Sequence, residues 1–191
     1  TFTGDGGMSG SGDLVKNGSG EVRLMLENSD YTGRTIINEG RLTVSLMSDA
    51  QKASSLGAAV ADKGYLQING AELYVEGDNV ATDRLVTISD TATISVVKSG
   101  TSLSLKDQIS GRGVLVKEGQ GQLNFNYAGT NDFDGLIIRG GIVSQGTWNS
   151  TFGNADAPII FEGGRLRQRA NTGMGTTPNL TNPLHIQEGT E

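Results

Sequence analysis

The chain has 191 residues, with 29 glycines, only 3 prolines, 35% hydrophobic and 5% aromatic residues. Glycine without proline excludes a collagen-like or Pro-rich disordered chain and assigns the glycines to turns, and the lean apolar content suits a thin fold whose elements all lie near solvent. A formal net charge of −6 and a pI near 4.8 argue against a nucleic-acid partner, and the absence of cysteine removes disulfides and Cys-ligated metals.

At the start, Thr1 to Gly12 shows neither a basic n-region nor an apolar h-region, and no apolar run reaches bilayer length. An export signal or anchor is therefore expected outside this chain, and membrane insertion by it is not. From there on the sequence reads as short segments of period-2 alternation between Gly, Asn, Asp and Ser turns. Candidate strands fall at 12–16, 21–27, 34–38, 41–47, 64–69, 72–76, 85–89, 92–97 and 101–106. Only the Ala-rich stretch 46–61, with Met47, Ala50, Ala53, Leu56, Ala58 and Ala59, leans towards helix, and it is read as a loop with at most one helical turn.

Beyond residue 108 the pattern begins again. Gly10-Ser11-Gly12-Asp13-Leu14-Val15-Lys16-Asn17-Gly18-Ser19-Gly20 matches Gly111-Arg112-Gly113-Val114-Leu115-Val116-Lys117-Glu118-Gly119-Gln120-Gly121, a constant offset of 101. The alternation that follows keeps its phase: Val22, Leu24 and Leu26 correspond to Leu123, Phe125 and Tyr127, with Arg23 and Met25 facing Asn124 and Asn126 between them. Further on, Asp30-Tyr31-Thr32-Gly33 pairs with Asp132-Phe133-Asp134-Gly135, Ser55-Leu56-Gly57 with Thr151-Phe152-Gly153, and Val86-Thr87-Ile88 with Leu184-His185-Ile186. Copy one is expected to span about 8–108 and copy two, incomplete, about 109–191, within a single unit of 1–191.

Such strands suit a sandwich, a propeller or a solenoid. Asn17-Gly18, Asn69-Gly70 and Asp134-Gly135 would serve hairpins, but the repeat is far longer than a propeller blade of about 40 to 50 residues. One apolar face per strand is what stacked coils require, since no coil can bury that face alone. The segment from Ser9 to Gly20, followed by Val22 to Leu26, Tyr31-Thr32-Gly33 and Ile36 to Leu42, closely resembles the autotransporter-associated β-strand repeat. Ser110 to Val143 repeats that resemblance, departing where Ile142 and Val143 replace the usual Xaa-Leu. The resemblance implies an all-β, right-handed parallel β-helix of two tandem long repeats. It also implies a passenger or stalk region of a large bacterial protein displayed on the cell surface or secreted, and the ends of the chain then read as cuts within a longer array prone to self-association at its edges.

Candidate chemistry is sparse, and neither cofactor nor metal is expected. Asp132 and Asp134 could share one face, as the carboxylates of a polysaccharide lyase or hydrolase do, but copy one keeps only Asp30, so they are read as turn formers. Asp78, Asp83 and Asp90 are too loosely spaced for a calcium loop. His185, the lone histidine, reads as a solvated strand residue, and Lys16 and Lys117 as parts of the Gly-rich turn. Arg165, Arg167 and Arg169 alternate and should project from one face towards an acidic glycan or lipid headgroup, and Trp148 could stack on a sugar; these four are the candidate ligand contacts. Their counterparts to the arginines, at offset 93, are Glu72, Tyr74 and Glu76, the behaviour of a solvated outer face.

The expected role is a non-enzymatic structural and adhesive passenger, with a host-surface, matrix or glycan ligand. A carbohydrate-active β-helix and the stalk of a secreted protease are the alternatives, the first of which requires three or more carboxylates converging on adjacent coils beside a groove.

Overall fold

An alternating strand buries one face only, and a single coil of such strands leaves rows of unpaired N–H and C=O groups along both edges. A second coil laid on it in parallel satisfies both demands at once. The computed structural model, which describes residues 1–60, 65–147, 150–168 and 180–187, is built on that solution throughout: every strand pairing in it is parallel.

In chain order the first strands are β1 (Leu14–Lys16), β2 (Glu21–Leu24), β3 (Thr35–Ile37), β4 (Arg41–Val44), β5 (Leu66–Asn69), β6 (Glu72–Val75) and β7 (Asn79–Thr82). Next come β8 (Val86–Val96), β9 (Ser102–Leu105), β10 (Ile109–Ser110), β11 (Gly113–Glu118) and β12 (Gln122–Phe125). The last are β13 (Gly135–Ile138), β14 (Ile142–Gln145), β15 (Ile159–Phe161), β16 (Arg165–Arg167) and β17 (Leu184–Ile186). Three columns result. The first face stacks β1, β3, β5, the start of β8, and β10. The second stacks β2, β4, β6, the rest of β8, then β11, β13, β15 and β17. The third stacks β7, β9, β12, β14 and β16. The chain is an all-β parallel solenoid, with no helix among the described residues.

Inward positions lie in register from coil to coil. Ile37, Ile68 and Ile88 stack on the first face, Leu42, Leu73 and Ile94 on the second, and Leu103, Leu123 and Val143 on the third. All are buried and belong to one continuous core that runs from Leu24 to Ile159; each such side chain contributes about 2 kcal/mol by leaving water. In the second copy the core is filled out by aromatics, Phe125 meeting Phe133 edge-on at 6.2 Å and Phe152 at 5.5 Å.

The offset of 101 residues does not correspond to a whole number of coils. β1 and β11 are equivalent strands, yet β1 lies on the first face and β11 on the second; likewise β2 and β4 occupy the second face, and their counterparts β12 and β14 the third. From β1 the chain revisits the first face at β3, β5, β8 and β10 and reaches β11 one face later. The second copy is thus turned by one face relative to the first, while its local geometry is kept: Gly40 has φ 66° and its equivalent Gly141 φ 65°.

Two details depart from the expected strands. Segments 85–89 and 92–97 form a single strand, β8, which bends from the first face to the second where exposed Asp90 adopts φ 53°. β7 and β10 are additional, since Asn79 and Thr82 between Asp78 and Asp83 carry the composition of a turn and become strand only by pairing with β9. The stretch 46–60 is a loop, as expected, and makes no helical turn. Gln51 sits at φ 65°, and the Ser54 hydroxyl donates to the Gly57 carbonyl at 3.1 Å and accepts from the Leu56 N–H at 3.1 Å, so side-chain bonds replace the helical ladder.

Lys16 and Lys117 point inward at the ends of β1 and β11 and staple the glycine turns. The Lys16 ammonium donates to the carbonyls of Asn17 at 3.0 Å and Glu39 at 2.9 Å, and also to Gly18. Lys117 repeats the arrangement with Glu118, Gly119 at 3.0 Å and Gly140 at 3.2 Å. Each lysine thereby ties its own turn to that of the next coil.

Two predictions follow from these turns. A Cβ on Gly141 would lie 2.2 Å from the Gly121 carbonyl oxygen, at a φ that L-residues rarely adopt, so Gly141→Ala should lower stability by about 2 kcal/mol or more in urea denaturation. Burial pushes the Lys117 ammonium down from 10.5 to about 8, with Glu118 opposing. Between those values the unfolded chain binds more protons than the folded one, so the stability contributed by this lysine rises with pH across the window; urea titrations below and above it should show the rise in the wild type and its loss in Lys117→Met.

Candidate binding surface

Outward side chains give each face of the rod its own chemistry. Along the first face, Asn38 donates to Asn17 and Asn69 to Asn38, each at 2.8 Å, and Ser89 donates to Asn69 at 3.1 Å. This amide ladder uses one N–H of Asn38 and one of Asn69 and ties neighbouring coils together.

The second face carries opposed charges. Arg41 donates to Glu72 at 2.7 Å and lies 4.3 Å above the Tyr74 ring, and Arg23 bridges Glu21 at 3.1 Å and Glu76 at 2.7 Å. Arg139 continues the pattern between Glu118 at 3.0 Å and Glu162 at 2.7 Å. The bond from Thr43 and the nearby arginines hold the Glu21 carboxyl below its usual range, against the effect of desolvation. Hydrogen bonding to Glu72 raises the Arg41 guanidinium. At such half-exposed sites water screens each pair, and its effect is to hold neighbouring coils in register.

The third face is polar and almost free of charge. Its outward rows in register are Asn79, Ser102, Gln122, Ile142 and Arg165, and Ala81, Ser104, Asn124, Ser144 and Arg167. Ser102 donates to Asn79 at 3.0 Å, Asn124 to Ser104 at 3.1 Å, and Arg167 reaches Gln122 at 3.5 Å. At the corner with the second face, the turn through Ser99 and Gly100 rises beside the first of these rows. Between them runs an open groove lined by Asn79, Ser102, Gln120, Gln122, Ile142 and, at its end, Arg165. Among the described residues no carboxylate lines it.

Arg165 and Arg167, two of the four candidate contacts, are exposed on β16 and project together from this face; Arg169 and Trp148 lie outside the described residues. Arg23, Arg34, Arg41, Arg112 and Arg139 all have a carboxylate partner. Arg165 and Arg167 make no ion pair among the described residues. The cause lies one coil below: Glu72, the counterpart of Arg165, finds Arg41, whereas the residue equivalent to Arg41 in the second copy is Ile142.

The remaining candidates take the following places. Asp132 and Asp134 project on the same side around buried Phe133 and, with Asp156, Arg112 and Asn154, line an open depression. All three carboxylates are exposed, and Asp134 accepts from Arg112 and Asn154 at 3.4 Å each. Asp78 pairs with Lys98 at 3.1 Å, Asp83 accepts from the Ala50 N–H at 2.6 Å, and His185 is exposed on β17. Arg84 is almost fully buried and donates to the Gly57 carbonyl at 2.8 Å; burial lowers its pKa, with Tyr31, Asp83 and Asp49 opposing. What went unrecognised in the sequence was the polar row of the third face. Ser102 and Ser104 alternate with Leu103 and Leu105, as Gln122 and Asn124 do with Leu123 and Phe125, but their alignment depends on β7 and on the coil register.

Residues 14–44, which include β1 to β4, match the family described as the passenger-associated-transport-repeat. Over 120 residues the chain is 39% identical to a protein of Brucella suis biovar 1 (strain 1330) named "Adhesin BmaC autotransporter", an alignment that covers 60% of this chain and 4% of that protein. The chain therefore spans a small part of the length of this curated relative. No solved structure matches it.

Proposed function

We propose that this chain, which carries a passenger-associated transport repeat and is distantly homologous to an autotransporter adhesin, is an adhesive passenger segment displayed outside a bacterial cell. It acts as a rigid stalk that presents a binding surface and catalyses no reaction; residues of about 8–108 and 109–191 are its two tandem copies. The observation that carries this reading is the continuous stack of the second face. Eight strands from β2 to β17 follow one another in register, a hydrogen-bonded rod of about 34 Å at the usual strand spacing of ~4.8 Å. A rod whose core is shared between coils transmits its direction along its whole length, which is what a stalk must do.

Display of the segment, fused to a translocating β-barrel, on a non-adherent bacterium should raise attachment to immobilised matrix protein or host cells several-fold. Attachment no greater than that given by an unrelated β-helix of equal length would remove the adhesive part of the reading.

A second reading, a carbohydrate-active enzyme, is favoured by the depression where Asp132 and Asp134 meet Asp156 from the next coil. Its openness to water and the engagement of Asp134 by Arg112 weigh against it, because a general acid needs a sheltered carboxyl. Prolonged incubation with uronate and neutral polysaccharides should leave their chain length unchanged. Cleavage that disappears in Asp134→Asn would establish the enzyme instead.

A further inference from the structure

The third face combines three properties found together nowhere else among the described residues: a straight groove along the axis, outward rows of neutral amides and hydroxyls, and two adjacent arginines without carboxylate partners. In a chain of net charge −6, a cationic pair left unneutralised is an attraction for an anion, since the surrounding carboxylates are either paired or on other faces. The groove is too polar and shallow for the buried aromatic or aliphatic anchor on which protein–protein affinity usually rests. None of the exposed large apolar residues, Phe2, Val15, Val60, Leu184 and Ile186, lies on β7, β9, β12, β14 or β16.

We infer that this groove binds a linear acidic polysaccharide laid along the solenoid axis, with its carboxylate or sulfate groups on Arg165 and Arg167. The inference rests on the adhesive reading and names the class of ligand. Guanidinium groups grip carboxylate and sulfate oxygens through paired N–H donors. Below the arginines, Asn79, Ser102 and Gln122 offer donors and acceptors to sugar hydroxyls, and half-buried Ile142 supplies an apolar spot for the C–H face of a ring. The coils repeat every ~4.8 Å, close to the advance of successive rings in an extended polysaccharide, so each sugar meets one coil's member of the polar rows. A ligand of this shape uses the length of the rod, where a compact one would use only its end.

Binding of the 191-residue chain to heparin, hyaluronan and neutral dextran oligosaccharides, measured by calorimetry, tests this. At least one anionic polymer should bind, dextran should not, and the affinity should fall with added salt. Arg165→Ala/Arg167→Ala should weaken binding about tenfold or more, the loss of two exposed charge-assisted contacts. Ser102→Tyr, which fills the groove without altering charge, should weaken it comparably, and Lys52→Ala/Arg112→Ala, an equal loss of two charges elsewhere on the rod, should not. Binding to neither anionic polymer overturns the inference, as does a double arginine variant that binds like the wild type or a Lys52→Ala/Arg112→Ala that falls equally; a Ser102→Tyr without effect overturns the groove. A displayed segment that adheres while binding neither polymer leaves the adhesive reading intact and removes this one. One that binds through the arginines yet confers no adhesion does the reverse.

Discussion

Parallel backbone pairing between successive coils is the constraint on which everything else here depends. It places Leu42 over Leu73 and Leu73 over Ile94, and thereby turns a series of short alternating segments into one core. It also aligns whatever points outward, so that Arg41 meets Glu72 and Asn38 meets Asn69. A one-residue slip in any coil would send a leucine into water and a charge into the core. The turns protect against that slip: inward Lys16 and Lys117 bind carbonyls on two coils each, and positive-φ glycines such as Gly40 let the backbones of adjacent turns touch.

Much of this was legible in the amino-acid sequence because the signal is local. Period-2 alternation at Val22, Leu24 and Leu26 marks the inward side without knowledge of the neighbour, and Leu24 and Leu26 are buried as that predicts. The 101-residue offset, too, is visible by comparison of letters alone. β7 and β10 were hidden because their residues become strand only through a partner some twenty positions away. The Ala-rich stretch was legible as a loop although its small residues suit a helix: Leu56 and Ala59 are packed against the coil, and the Ser54 hydroxyl takes up local hydrogen bonds.

The candidate surface was only half legible. Alternation put Arg165 and Arg167 on one side, but whether they are neutralised depends on Ile142 one coil below, and that is a matter of register. Likewise the acids at 132 and 134 share a side as their spacing implied, while the arrival of Asp156 beside them comes from stacking. Chemistry on a solenoid is assembled from residues one coil apart, so a motif search along the chain sees each member singly.

The turn by one face between equivalent strands bears on how a longer array would meet its surroundings. If each copy advances its successor by a third of a revolution, the original orientation returns only with the fourth copy. Equivalent loops would then trace a slow spiral around the rod instead of a single stripe. A flat target could engage every third copy at most, whereas a flexible polymer could follow the spiral and gain multivalent attachment from all of them. The number of residues in the repeat, a quantity with no chemistry of its own, would in this way set the geometry of avidity.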